Sequence, residues 1–122
     1  MSMESKHSLF KSFVYAFEGV KVAVQKGHNF RIQLGFGVLA CVLGFYLNIS
    51  ETDWTILILV ISLVLILELL NTSIEAIVDL VSPEIRDKAK IAKDVSAAAV
   101  LISSAASIFV GAAIFLPKIL GV

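Results

Sequence analysis

Five side chains capable of chemistry stand close together near the middle of the chain: Glu68, Asn71, Thr72, Glu75 and Asp79. In an α-helix, at about 100° per residue, the last four fall within about 60° of Glu68 around the axis, so all five share one face. Residues 54–67, just before them, carry no charge, so Glu68 is an ionisable group approached through hydrocarbon. An acid in such a place costs about 2.5–3.5 kcal/mol and marks a candidate functional site. Glu68 and Glu75 would stand about 10 Å apart along the axis, too far to share a proton and well spaced for different work. Glu68 suits a general base, taking a proton from a hydroxyl that arrives by way of the lipid. Glu75 and Asp79, nearer water, suit a hard cation such as Mg²⁺, which takes carboxylate and phosphate oxygens together. Asn71 could hold either a phosphate or the base. Lys93-Asp94 opens the next apolar run from the same side. The lysine could neutralise phosphate charge there, and the aspartate could orient it or join in metal binding.

The plainer reading of these groups is a seam of interhelical hydrogen bonds. Against it, Glu68, Asn71, Glu75 and Lys93 gather in one depth zone, more than a seam requires. His7 and His28 have no zinc spacing, and Gly35 and Gly37 lie inside an apolar run, which excludes a phosphate-binding glycine loop. No Ser/His/Asp set at a shared depth suggests hydrolysis.

The elements that must position these groups are membrane helices. A chain of 122 residues that is 58% hydrophobic, with mean hydropathy +0.94, is too apolar for an ordinary soluble domain. Its zero formal net charge argues against nucleic acid as a partner. The charges are unevenly placed: Lys6, Lys11, Lys21, Lys26 and Arg31 precede the first apolar run, and Arg86, Lys88, Lys90 and Lys93 follow the second. The link between these runs has only Glu51 and Asp53. The positive-inside rule then predicts a cytoplasmic N-terminus, a cytoplasmic loop over 83–94, and an external turn over 48–53.

In chain order, 1–7 is a short polar leader. Over 8–26, Leu9, Phe10, Phe13, Phe17, Val20 and Val24 recur at helical spacing, with Ser8 as N-cap. Too charged to span, this segment predicts an amphipathic helix in the membrane interface. Residues 26–31 break it. Spans are expected over about 32–50, 54–80 and 95–116, giving one integral membrane domain over 1–122. Small residues, among them Gly37, Ala40 and Gly44 in the first span and Ala97, Ala98 and Ala99 in the third, permit close helix contacts. Trp54 is placed as an interfacial anchor, and the lone Cys41 has a packing role. Three spans offer little interior in which to hide a row of acids, so a homo-oligomer is expected.

The stretch ELLNTSIEAIVDLVSP followed by AKIAKDVSAAAVL resembles the signature of the prokaryotic diacylglycerol kinases, a family that includes undecaprenol kinases. The resemblance spans nearly the whole chain, including Asn29-Phe30-Arg31 and Trp54. It implies a surface helix with three transmembrane helices, a homotrimer with shared active sites, and Mg²⁺- and ATP-dependent phosphorylation of a lipid hydroxyl. By match to the motif, Glu68 would be the general base and Glu75 a metal ligand. Asn71 and Asp79 would support the site, and Lys93 and Asp94 would belong to the nucleotide site. The NTSIE and VDL spelling is closer to the undecaprenol kinase branch than to the diacylglycerol kinases. Two positions depart from the pattern: Gly27 stands where the family usually has a second metal-binding glutamate, and Gln33 where many relatives have a histidine or an acid. A competing function, from another class, is a non-enzymatic oligomer that conducts protons or cations or partners another membrane enzyme. It would use Glu68 and leave Asn71, Glu75, Lys93 and Asp94 idle.

Overall fold

The computed structural model describes residues 8–84 and 86–122, so the readings of the polar leader and of His7 lie outside the described residues. The described chain is helical: α1 (Leu9–Lys26), α2 (His28–Leu47), α3 (Glu51–Val81) and α4 (Asp87–Leu120). The last three are long and apolar enough to cross a membrane, which makes this an all-α membrane protein with an N-terminal amphipathic helix.

Ser8 takes the N-cap position of α1 without a side-chain capping bond; its carbonyl accepts from the Lys11 and Ser12 N–H groups at 3.0 and 3.4 Å. Leu9, Phe10, Phe13 and Phe17 are exposed, and Ala23 is the buried residue of the helix. A bare apolar stripe of this kind is what an interfacial helix sinks into a bilayer.

The break expected over 26–31 is a single residue, Gly27, and α2 begins at His28. So sharp an elbow holds because Arg31 folds back onto α1. Its guanidinium donates to the carbonyls of Val24 and Gln25 at 2.8 and 3.1 Å, satisfying acceptors that a helix end leaves open.

Helix α2 runs antiparallel to α3, and the two approach closely at Gly37 and Gly44. A Cβ at Gly37 would lie 3.0 Å from Ile61, and one at Gly44 would lie 2.9 Å from Trp54. Gly35 faces open space instead. The connection between them is short and well capped. Asn48 adopts the left-handed conformation at the end of α2, and the Ser50 hydroxyl accepts from the Asp53 N–H at 3.1 Å at the start of α3. Trp54 is half-buried and packs on Phe45 with ring centroids 4.8 Å apart. It adjoins the main apolar cluster of Ile49, Leu57, Ile114 and Phe115. In a bilayer such close packing, rather than exclusion of water, holds helices together.

Helices α3 and α4 form the most extensive helix pair. Their connection is shorter than the charge pattern suggests. The segment expected to be solvated over 84–94 turns helical at Asp87, so Lys90, Lys93 and Asp94 stand on a rigid helix. At the other end α4 continues one turn through Pro117 to Leu120. The Val122 N–H closes on the Pro117 carbonyl at 2.9 Å, behind Gly121 in the left-handed conformation. The C-terminal half of α3 and the first turns of α4 thus meet at one end of the bundle, beside the α1–α2 elbow.

Candidate functional site

Glu68 lies deepest among the polar groups of this end. It is 3% exposed, and its Oε1 is buried with no hydrogen-bond partner among the described residues. Val64, one turn back on the same face, is also buried, so apolar packing adjoins the carboxylate on the side away from the helix end. An acid kept there without a partner is poorly explained as structural glue, because glue would use its hydrogen-bonding capacity.

Toward the end of the bundle the polar groups form a chain across the α3–α4 contact. The Ser96 hydroxyl donates to Asn71 Oδ1 at 2.7 Å, and Asn71 Nδ2 donates to Glu75 Oε1 at 3.4 Å. Ser96 is buried, Asn71 half-buried and Glu75 exposed. Further out, Lys93 Nζ pairs with Asp79 Oδ1 at 2.6 Å, and Lys90 Nζ with Asp94 Oδ2 at 2.6 Å. The Asp79 carboxylate, accepting the hydrogen bond, raises the Lys93 pKa above the usual lysine value, and Asp94 does the same for Lys90. Both lysines are therefore cations throughout the physiological range. Asp79, Glu84, Lys90, Lys93 and Asp94 line a cleft of about 210 Å³ with Ser82 and Pro83.

All seven residues singled out in the sequence stand at this end of the bundle, but their partners differ from a simple reading of the wheel. Asn71 is bonded to Glu75 and Ser96 rather than to Glu68. The Thr72 hydroxyl donates to the Glu68 carbonyl at 3.1 Å, a local bond within the helix that leaves it little to offer a ligand. Asp94 faces Lys90 one turn earlier on its own helix and contributes through that pair. Three participants were not read from the sequence. Ser96 was hidden among the small residues of α4, although it lies three residues after Lys93 and thus on the same face. Arg31 enters the sequence reading as a topogenic charge and as part of the entry to the first span, not as the residue that fastens α2 to the end of α1. Gln33, noted only as a departure, donates to the Ser104 hydroxyl at 2.8 Å and joins α2 to α4 beside an apolar cavity of about 390 Å³.

The residues present do not make a protein-held Mg²⁺ site. Mg²⁺ demands near-octahedral oxygen ligands. Among the described residues no group of three or more His, Cys, Asp or Glu could hold a metal ion. Among the described residues Glu75 is the exposed acid of the face that forms no ion pair with a lysine, and position 27, where a second carboxylate would be looked for, is glycine.

A buried acid with an unpartnered oxygen, a separate hydrogen-bonded chain from Ser96 through Asn71 to Glu75, and a mouth where lysines are paired with carboxylates define a helical membrane protein with an ionisable site at one end of its bundle. Comparison with known proteins gives this class a family. The model of the prokaryotic diacylglycerol kinase family matches residues 14–115. An undecaprenol kinase of Bacillus subtilis (strain 168) is 38% identical over 110 residues, which cover 90% of this chain and 89% of the relative. A diacylglycerol kinase of Synechocystis sp. is 41% identical over 114 residues, covering 93% of this chain and 65% of the relative. The diacylglycerol kinase of Escherichia coli (strain K12) is 34% identical over 95 residues, or 78% of each chain. The chain belongs to the prokaryotic diacylglycerol kinase family, and its class is that of the membrane lipid kinases.

Proposed function

We propose that this protein transfers the γ-phosphoryl group of ATP to the hydroxyl of a membrane lipid at the cytoplasmic face of the bacterial cytoplasmic membrane, with its N-terminus in the cytoplasm and its whole chain acting as one domain. The observation that carries the reading is Glu68, buried beside apolar packing with an unpartnered carboxylate oxygen. A lipid hydroxyl reaching that oxygen would donate its hydrogen to it. As the hydroxyl oxygen bonds to the γ-phosphorus, the bond from phosphorus to the β,γ-bridging oxygen breaks, ADP leaves, and the proton remains on Glu68 until solvent removes it. Lys93, paired with Asp79 at the mouth of the cleft, supplies positive charge to the transferring phosphoryl group when it turns to the phosphates. Asn71, fixed by Ser96, holds Glu75 where the phosphates would arrive. Mg²⁺ supplies charge neutralisation when it comes with ATP.

Undecaprenol is the acceptor favoured by the spelling of the α3 motif, with diacylglycerol the other candidate; the two relatives carrying these names match this chain at similar identity. A homotrimer accords with the family and with the exposed row of Ala97, Ala98, Ala99, Ala105 and Ala106 on α4, which lets another helix come close. The test is phosphoryl transfer by purified protein in lipid, supplied with Mg-ATP and each alcohol in turn. Phosphorylated lipid should form with wild type, and product no greater than that of a Glu68→Gln control would sink the reading.

A further inference from the structure

We propose that this protein has no divalent-cation site of its own and takes its metal only as a complex with the nucleotide, because the α1–α2 elbow is closed to a second carboxylate. The inference rests on the kinase reading above. At Gly27 the N–H donates to the Ala23 carbonyl at 2.7 Å, and a Cβ built on Gly27 would lie 2.6 Å from that same oxygen and 3.1 Å from the Phe30 Cβ. The first distance is one that real Cβ atoms do not tolerate, and the offending atom is backbone, which cannot rotate aside. Ala23 and Phe30 are 2% and 4% exposed, so both neighbours are packed in the structure. Arg31 pins the next two carbonyls, those of Val24 and Gln25. The elbow is thus held on three sides in a form that a side chain at position 27 can enter only by shifting the backbone.

The acids of the site face do not replace the missing group. Asp79 and Asp94 are each bound to a lysine at 2.6 Å, and a cation there would have to displace an ammonium. Glu68 is buried away from the cleft. Glu84 lines the cleft but pairs with Arg86 at 3.7 Å, which leaves Glu75, exposed and oriented by Asn71. A single carboxylate is a poor home for free Mg²⁺ but an adequate contact for an ion whose other ligands are phosphate oxygens and water. In this chain the nucleotide, rather than the α1–α2 elbow, completes the coordination.

The experiment uses full-length protein in lipid nanodiscs and Mn²⁺ as a paramagnetic probe, titrated with and without a non-hydrolysable ATP analogue. Binding of the analogue and the thermal midpoint are followed in parallel. Wild type should bind no stoichiometric Mn²⁺ below about 1 mM without nucleotide. With the analogue it should bind one ion per chain, and Glu75→Gln should weaken that binding by about tenfold or more. Gly27→Ala and Gly27→Glu should both lower the thermal midpoint, and neither should bind Mn²⁺ without nucleotide. Stoichiometric nucleotide-free binding by wild type would overturn the proposal while leaving the kinase reading intact. So would a Gly27→Glu variant that gains such binding at an unchanged midpoint. Failure of the analogue itself to bind would defeat the kinase reading and this proposal with it.

Discussion

The two ends of the bundle are built on opposite principles. At the end of the α2–α3 turn, Trp54, Phe45, Ile49, Leu57, Ile114 and Phe115 are packed against each other, with Gly44 cut away to admit the indole. At the other end the helices are joined by separate polar links: Ser96 to Asn71, Lys93 to Asp79, Gln33 to Ser104, and Arg31 to the end of α1. The cleft lined by Asp79, Glu84, Lys90, Lys93 and Asp94 opens there, and among the described residues one carboxylate oxygen, Glu68 Oε1, is left without a partner, while the apolar cavity runs along the middle of the bundle from Gln33 to Leu57 and Phe115. Packing contributes stability where nothing has to enter, and polar links hold geometry where substrates do. Substitutions should divide accordingly, those at the packed end acting on stability and those at the polar end on turnover.

The largest expected effect is that of Glu68→Gln. Loss of a general base lowers turnover by about 10²–10⁴. Glu68 Oε1 has no hydrogen-bond partner among the described residues to abandon, and a neutral amide is cheaper to bury, so the thermal midpoint should stay level or rise. Turnover within about tenfold of wild type, measured at saturating ATP and lipid, would place the proton acceptor elsewhere and erase the contrast between the ends.

The converse is Leu57→Ala. Leu57 is 4% exposed at the centre of the apolar cluster, and truncating a buried leucine costs about 2–5 kcal/mol. The midpoint in detergent should fall clearly, while activity per folded molecule, assayed well below that midpoint, should remain close to wild type. A collapse of turnover in protein that is still folded would show the two ends to be coupled rather than divided.

How much of this was legible in the sequence follows the same division. The face bearing Glu68, Asn71, Glu75 and Asp79 follows from helical period alone, and so does the depth of Glu68, since both are properties of one helix. Which group meets which across helices depends on register and rotation, which no single segment encodes. Lys93 therefore meets Asp79, Asp94 turns to Lys90, and Ser96, which the motif does not single out, orients Asn71. Gly27 shows the limit most clearly. As a letter it is the absence of an acid; in the structure it is a contact of 2.6 Å waiting for any Cβ, visible only once Arg31 has folded α2 back against α1.

Removing the charge of Lys93 should have an intermediate effect. With Lys93→Met the KM for ATP should rise about ten- to a hundredfold, as expected when a charged donor to phosphate is lost, with the fold and midpoint little changed. The pH profile sharpens this. The Lys93 pKa is raised in the folded state by its bond to Asp79, so its charged form is fully present below the unfolded value of about 10.4 and is lost only as pH climbs through the higher folded value. Between about pH 6 and pH 9 the profile of kcat/KM for ATP should therefore show no alkaline limb from this group. A limb in that interval that disappears in Lys93→Met would mean that Asp79 does not hold the lysine in the working enzyme.

The smallest effect, and the finest test of the division, lies in the pair Ser96 and Asn71. The hydroxyl of Ser96 occupies Asn71 Oδ1 and so leaves the amide nitrogen turned toward Glu75. With Ser96→Ala the amide can turn either way, and Glu75 loses a fixed donor part of the time. Interhelical hydrogen bonds within membranes couple by about 0.6 kcal/mol on average, roughly a threefold effect, and by about 1.7 kcal/mol at most. The single substitution should therefore raise the KM for Mg-ATP about threefold while kcat hardly moves, because Glu68 is untouched. In Asn71→Ala the loss should be greater, and adding Ser96→Ala to it should cost almost nothing more, since the serine then has no amide to orient. Losses that simply add in the double variant would show that Ser96 acts on helix packing alone, and the polar end would then owe part of its geometry to the same packing that holds the other.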